Sequence, residues 1–253
     1  MTSSFDFVTS KGYRAKCEMS FTCLNDGIDV HSKVTVPRSW PTLPRVGLRC
    51  FLDSDKDSNF QITWFGNGPH ETYSDRQDCG IVRMWRASDA EAMHTPYIYP
   101  SSNGNRTNVR WMGVTRKSDG ASVLFVSSSG VLNTSVSHAS DREISSSGHE
   151  HEIQQESGLH VMLDHEVMGV GGDNSWEPCV HDKYLVPSGK TYTWGVSVIP
   201  MRSETTSKRK KRKRSGKSKK SSSKKQAKIE VTNDDEAMAM RREALRVRNE
   251  GLL

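Results

Sequence analysis

The residue of this 253-residue chain best suited to ligand chemistry is Trp176, which sits in the segment GVGGDNSWEPCV at 169–180. Glycines 169, 171 and 172 let the backbone take positive φ values and turn sharply, and Pro178 stiffens the exit, so the loop is predicted to hold the indole outward. An indole on a rigid loop suits a sugar. The apolar face of a pyranose packs on the aromatic plane while nearby polar groups, here Asp173 and Asn174, take its hydroxyls. The opposing reading is an ordinary core or interdomain tryptophan.

Two further loops carry side chains of similar potential. In FGNGPHETYSDR at 65–76, Gly68 and Pro69 are expected to make a tight turn off a strand ending at Phe65 and to present His70, Glu71 and Tyr73 at a rim. TPYIYPSSNGNR at 95–106 adds Tyr97, Asn103 and Arg106. Such residues more often stabilise a loop than bind a ligand; Asn103 and Arg106 are carried as secondary candidates for substrate contact. HEHE at 149–152, with His160 and His165 nearby, could suggest a metal. On a strand His149 and His151 would point to one side, but spacing fixes no third ligand, so the patch reads as surface and no metal is expected. Cysteines 17, 23, 50, 79 and 179 are odd in number and show no CxxC spacing, which predicts reduced structural thiols.

The elements that must position these loops read as strands. RVGLRCFL at 45–52 alternates Val46, Leu48, Cys50 and Leu52 with the residues between them. FQITWF at 60–65, SVLFVS at 122–127, LHVML at 159–163 and TYTWGVSV at 191–198 are rich in β-branched and aromatic residues. Turn-forming clusters at 66–69, 101–104, 169–175 and 187–189 separate them. Many short strands with no amphipathic helix between them predict an all-β, antiparallel sandwich or barrel.

The formal charge of +6 sits in the tail: residues 1–203 hold 19 Lys+Arg against 23 Asp+Glu, and residues 204–253 hold 17 against 7. Thirteen basic residues and no acid lie between 208 and 228, a composition that cannot bury enough apolar surface to fold. The boundaries that follow are a sandwich domain at 1–203, a disordered Lys/Arg/Ser-rich linker at 204–232, and a short helix or disordered tail at 233–253. In the helix Asn233 is the expected cap, and Ala237, Met240, Ala244 and Val247 share a face that would be marginal without a packing partner. KRKKRKR at 208–214 has the composition of a nuclear address. With no aromatic residue after 203, nucleic acid could be held only by salt-sensitive phosphate contacts. The amino terminus has no signal-like apolar core and no run approaches a membrane span, so an intracellular, cytoplasmic protein with no membrane partner is expected. The sequons at Asn105 and Asn133 would matter only in a secreted chain.

The three loop motifs, in this order and spacing, with RVGLRCFL and VPSGKTYTWGVSVIP as flanking strands, resemble the carboxyl-terminal, small-chain domain of glycoside hydrolase family 2 β-galactosidases. The resemblance runs from roughly residue 12 to residue 200. It implies an antiparallel supersandwich of the galactose mutarotase-like kind, truncated at its amino-terminal side because the family's domain begins earlier, with an open sheet edge fit for self-association or for a β-galactosidase catalytic chain. It implies that Trp176 packs on the sugar at the mouth of the catalytic pocket. The two glutamates of retaining hydrolysis, like the family's Mg and Na sites, belong to a barrel that this chain lacks. Glu71, Glu143, Glu166 and Glu177 match none of the family's catalytic motifs, so no catalytic residue and no cofactor are assigned. Aldose epimerases share the fold and use a histidine and a carboxylate, but no such pair is assignable from the sequence. The function implied is a β-galactosidase terminal domain or small subunit that binds galactoside and completes a partner's active site; the alternative is a non-catalytic carbohydrate-binding module with a nuclear-targeting tail.

Overall fold

The computed structural model describes residues 1–55, 59–174, 176–177, 179–201, 228–232 and 234–250, with side chains up to Arg246. The KRKKRKR run and most of the 204–232 linker lie outside these residues, as do Pro178 and the expected cap Asn233. The strands are β1 (Thr2–Val8), β2 (Arg14–Cys23), β3 (Ile28–Thr35), β4 (Arg45–Leu52), β5 (Phe60–Gly66), β6 (Arg83–Ala87) and β7 (Arg106–Val109). They continue as β8 (Trp111–Arg116), β9 (Ser122–Ser127), β10 (Leu132–Ser137), β11 (Leu159–Val167), β12 (Thr191–Met201) and β13 (Ile229–Val231). Two α-helices, α1 (Asp141–Ser146) and α2 (Asp235–Glu250), and three short 3-10 turns at Ala90–Met93, Glu150–Glu152 and Asp182–Tyr184 complete the described elements. No described helix is long and apolar enough to cross a membrane.

All pairings are antiparallel, and the strands form two sheets of very unequal width. A nine-stranded sheet runs β1-β2-β3-β12-β9-β8-β5-β6-β13, and a four-stranded sheet runs β4-β11-β10-β7. The expected two-sheet antiparallel architecture is what forms. Alternation explains the seam: Phe60, Ile62 and Trp64 of β5 and Met112 and Val114 of β8 face Leu159, Val161 and Leu163 of β11 in one core.

The narrow sheet cannot cover the wide one. On β1 the inward positions include Phe5 and Phe7, still 45% and 54% exposed, and among the described strands β4 has a neighbour only on its β11 side. Between β2, β3 and β4 this leaves a groove of about 280 Å³ lined by Phe5, Phe7, Met19, Val34, Trp40 and Leu48. Trp40 Nε1, Trp194 Nε1 and Ser32 Oγ, all on residues that line it, are buried and have no hydrogen-bond partner among the described residues.

The tail differs from its sequence reading in two ways. Ile229–Val231, inside the stretch read as linker, pairs with β6 as the ninth strand. Helix α2, read as marginal unless it found a packing partner, lies on the outer face of the wide sheet with Ala237, Met240 and Ala244 buried against Met84, Trp111, Leu124 and Val126. Asp234 takes the capping role, its side chain accepting the Ala237 N–H at 2.9 Å.

Candidate functional site

Two carboxylates of the loop after β5 hold the three sequence motifs together. Glu71 accepts the Gly104 N–H at 2.8 Å and also bonds the Tyr97 hydroxyl and the Arg76 guanidinium, tying the 65–76 loop to the 95–106 loop. Asp75 accepts the Gly171 and Val170 N–H groups at 2.7 and 3.2 Å, tying the same loop to 169–180. Beneath them Thr72 N donates to Asn105 O at 2.8 Å, and Asn67 Nδ2 to Thr107 Oγ1 at 2.8 Å. The loops therefore form one joined rim.

Glu71 and Tyr73, expected to stand out from that rim, turn inward instead: the Glu71 side chain is 8% exposed and Tyr73 is buried. Burial pushes the Glu71 carboxyl up, but hydrogen bonds from Tyr97 and Gly104 and the charge of Arg76 outweigh it and hold the group below the usual carboxylate range. Arg106 is a second correction. It is the first residue of β7, and its side chain is buried over Trp64, 5.5 Å from ring centroid to guanidinium carbon, with Nη1 donating to Gly104 O at 2.8 Å. Burial pushes its pKa down to about 10. A guanidinium so enclosed supports the loop from below.

Asn103 is a loop tie, accepting the Thr95 N–H at 3.1 Å and donating to Ser101 O at 3.0 Å. Asp173 faces His181 Nε2 at 2.8 Å, and His70 is exposed. Asn174 accepts the Trp176 N–H at 2.8 Å and the Glu177 N–H at 3.3 Å, a local turn that sets the indole's direction. Trp176 itself is 92% exposed, which removes the core reading for it within this chain. The glycines serve a purpose other than the expected one. Among positions 169, 171 and 172 only Gly172 has positive φ, at 156°, whereas a Cβ at Gly169 would lie 2.4 Å from the Asp75 carboxylate. Close approach to Asp75 is what position 169 requires.

Nothing local in the sequence marks Asp75, because its partners are 95 and 96 residues away. The HEHE patch is a 3-10 turn over Glu150–Glu152 rather than a strand, with the His149 and His151 rings stacked at 5.5 Å. Glu150 reaches His94 Nε2 at 2.5 Å on the wall of a cavity of about 270 Å³ that His138 and Ile144 also line. Among the described residues, no group of three or more His, Cys, Asp or Glu comes together as a metal site.

Fold and rim together define a β-sandwich domain that offers exposed aromatics, Trp176 and Tyr99, on a joined set of loops and leaves one side of its own core uncovered. The chain belongs to the β-galactosidase small-chain family, whose model matches residues 1–198. It is similar to the β-galactosidase of Photobacterium profundum, at 32% identity over 202 residues that cover 79% of this chain and 18% of that protein. The β-galactosidase of Psychromonas ingrahamii is 38% identical over 66% of this chain and 15% of its own length, and that of Yersinia enterocolitica 39% identical over 63% and 14%. The chain thus spans less than a fifth of the relatives it matches. Among solved structures, a galactose mutarotase related enzyme from Lactobacillus acidophilus aligns over 79% of this chain and 67% of its own with a TM-score of 0.32 at 7% identity, a likeness too distant to argue from.

Proposed function

We propose that this chain acts as the terminal domain or small subunit of a β-galactosidase. It docks through the open side of its sandwich onto a polypeptide bearing the catalytic barrel and brings Trp176 to the mouth of the pocket there. The uncovered groove carries this reading. Burying three polar groups without partners is costly, and an added strand alongside the free edge of β4 would supply main-chain carbonyls for the indole N–H groups while covering Phe5 and Phe7. In retaining hydrolysis both carboxylates would come from the barrel, and this chain's part is to bind and orient a terminal β-D-galactoside. Trp176 is the principal contact, with Asp173 positioned to reach hydroxyls beside it and Asn174 holding the loop.

The test is hydrolysis of a chromogenic β-galactoside by the full chain alone, by a β-galactosidase large fragment lacking this domain, and by their mixture. Activity is expected in the mixture only. Trp176→Ala in the mixture should lower kcat/KM about tenfold, a loss of roughly 1.4 kcal/mol of transition-state stabilisation. A mixture that stays inactive and shows no complex overturns the partner; an active mixture indifferent to Trp176→Ala overturns the sugar contact.

A further inference from the structure

The outer face of the wide sheet is apolar where a solvent-facing surface would be polar. In SVLFVS, Phe125 faces the main core while Leu124 and Val126 face outward, and Met84 of β6 and Trp111 of β8 join them. A strand apolar on both faces is one that is covered on both. These four residues lie within the family match, which ends at residue 198, whereas their cover, β13 and α2, lies beyond it.

The cover is seated by specific chemistry. β13 pairs with β6 in the register Ile229↔Ala87, Glu230↔Arg86 and Val231↔Trp85, and Ser88 N donates to Lys228 O at 2.7 Å. In α2 the buried Ala237, Met240 and Ala244 are spaced i, i+3, i+7, the stripe of one helix face. Met240 enters the sheet over Gly113, where a Cβ would stand 2.3 Å from its sulfur, so a side chain there would displace the methionine's tip from its present socket. Polar contacts frame that socket. Thr115 Oγ1 donates to Glu236 at 2.8 Å, Arg86 pairs with Asp234 and donates to Thr232 Oγ1 at 2.8 Å, and Arg246 meets Asp26 at 3.2 Å.

We propose that this face is a peptide-docking site. Its ligand class is a short strand followed by an amphipathic helix that presents a methionine between two alanines behind an acidic first turn, and residues 228–246 of this same chain occupy it as a separable clip. The inference does not depend on the partner or the sugar. It requires that the clip bind as a ligand does, with its own affinity and in exchange with free peptide, while the sandwich remains folded without it.

The experiment uses the full chain with a site-specific protease sequence inserted between Ser221 and Ser222. After cleavage the carboxyl-terminal fragment is expected to stay bound on gel filtration and to be displaced by excess synthetic peptide 228–253, with the circular dichroism of the sandwich unchanged. A peptide carrying Met240→Asp should bind at least tenfold more weakly, and Gly113→Val in the sandwich should weaken the unmodified peptide to a similar degree. Immediate loss of the fragment from a still-folded sandwich, with no measurable peptide binding, overturns the site. So does unfolding of the sandwich when the fragment leaves, which would make β13 and α2 part of one cooperative core. Equal binding by the Met240→Asp peptide overturns the socket, and because that variant alters only the peptide, the result holds whether or not Gly113→Val folds.

Discussion

Asp75 has a structural role whose failure would be felt at Trp176. Its carboxylate holds the Val170 and Gly171 amides, and the turn around Asn174 carries the indole only a few residues further on. Asp75→Ala should therefore leave the sandwich folded, cost about 1–3 kcal/mol through the two lost charge-assisted bonds, and reduce activity in the complemented enzyme nearly as far as Trp176→Ala does. Denaturant melts alongside complementation kinetics check both halves. A different carboxylate governs pH behaviour. Asp164 on β11 is buried, and desolvation pushes its pKa up to about 7 although Arg45 opposes this from 3.3 Å. A carboxyl whose folded pKa lies above its unfolded value contributes stability that is present at low pH and lost as pH rises from the unfolded value to the folded one. Stability should thus decline between about pH 4 and pH 7, by about 1.4 kcal/mol per pH unit at most, and Asp164→Asn should flatten that slope when melting is followed across the range.

Among the elements, what could be read in advance depended on how the two faces of each strand differ. β4 begins where its alternation does, at Arg45, because one face meets the core, and β5 begins at Phe60 with the β-branched and aromatic run that marks it. TSSFDFV and LNTSVS, now β1 and β10, give no such sign: the first lies exposed along its whole length, and the second carries Ser, Thr and Asn that read as turn residues. The joined rim was partly legible, since the Gly and Pro loops announced themselves, but Arg106 was misplaced because a residue beside a loop motif gives no sign of whether its side chain points out or in. Helix α2 was expected from its periodicity and acidic start, yet its seat was hidden because Met84, Trp111 and Leu124 lie more than a hundred residues before it. Met240→Ala would empty the space over Gly113 that the methionine fills, a change that in cores costs about 2–5 kcal/mol. Hydrogen exchange should then show amides 238–246 losing protection while β8 and β9 keep theirs.

At the scale of the whole molecule, the uneven widths of the two sheets set how the chain meets other proteins. A dye that reports exposed apolar surface should bind the isolated chain through the groove beside Phe5 and Phe7, and its signal should fall when the β-galactosidase large fragment is added. An unchanged signal on forming the complex would place the contact elsewhere. The charge division also matters here: the acidic excess of residues 1–203 and the basic excess of 204–253 make any attachment of the tail to polyanions a salt-sensitive property separable from the sandwich.

The nine-stranded sheet ends very differently on its two sides. One side finishes in three residues of β13, close before the helix that folds over the sheet, while the other finishes in the seven-residue, exposed β1, on the side of the molecule where β4 keeps one edge free of a described strand. Growth by strand addition therefore has a single direction. Two such molecules, or one molecule and a partner, can close against each other and use up the reactive side, leaving a short and blunted margin behind. The expected stoichiometry is a pair, and sedimentation at rising concentration should show a plateau at two chains where a sheet open at both margins would run on into fibres.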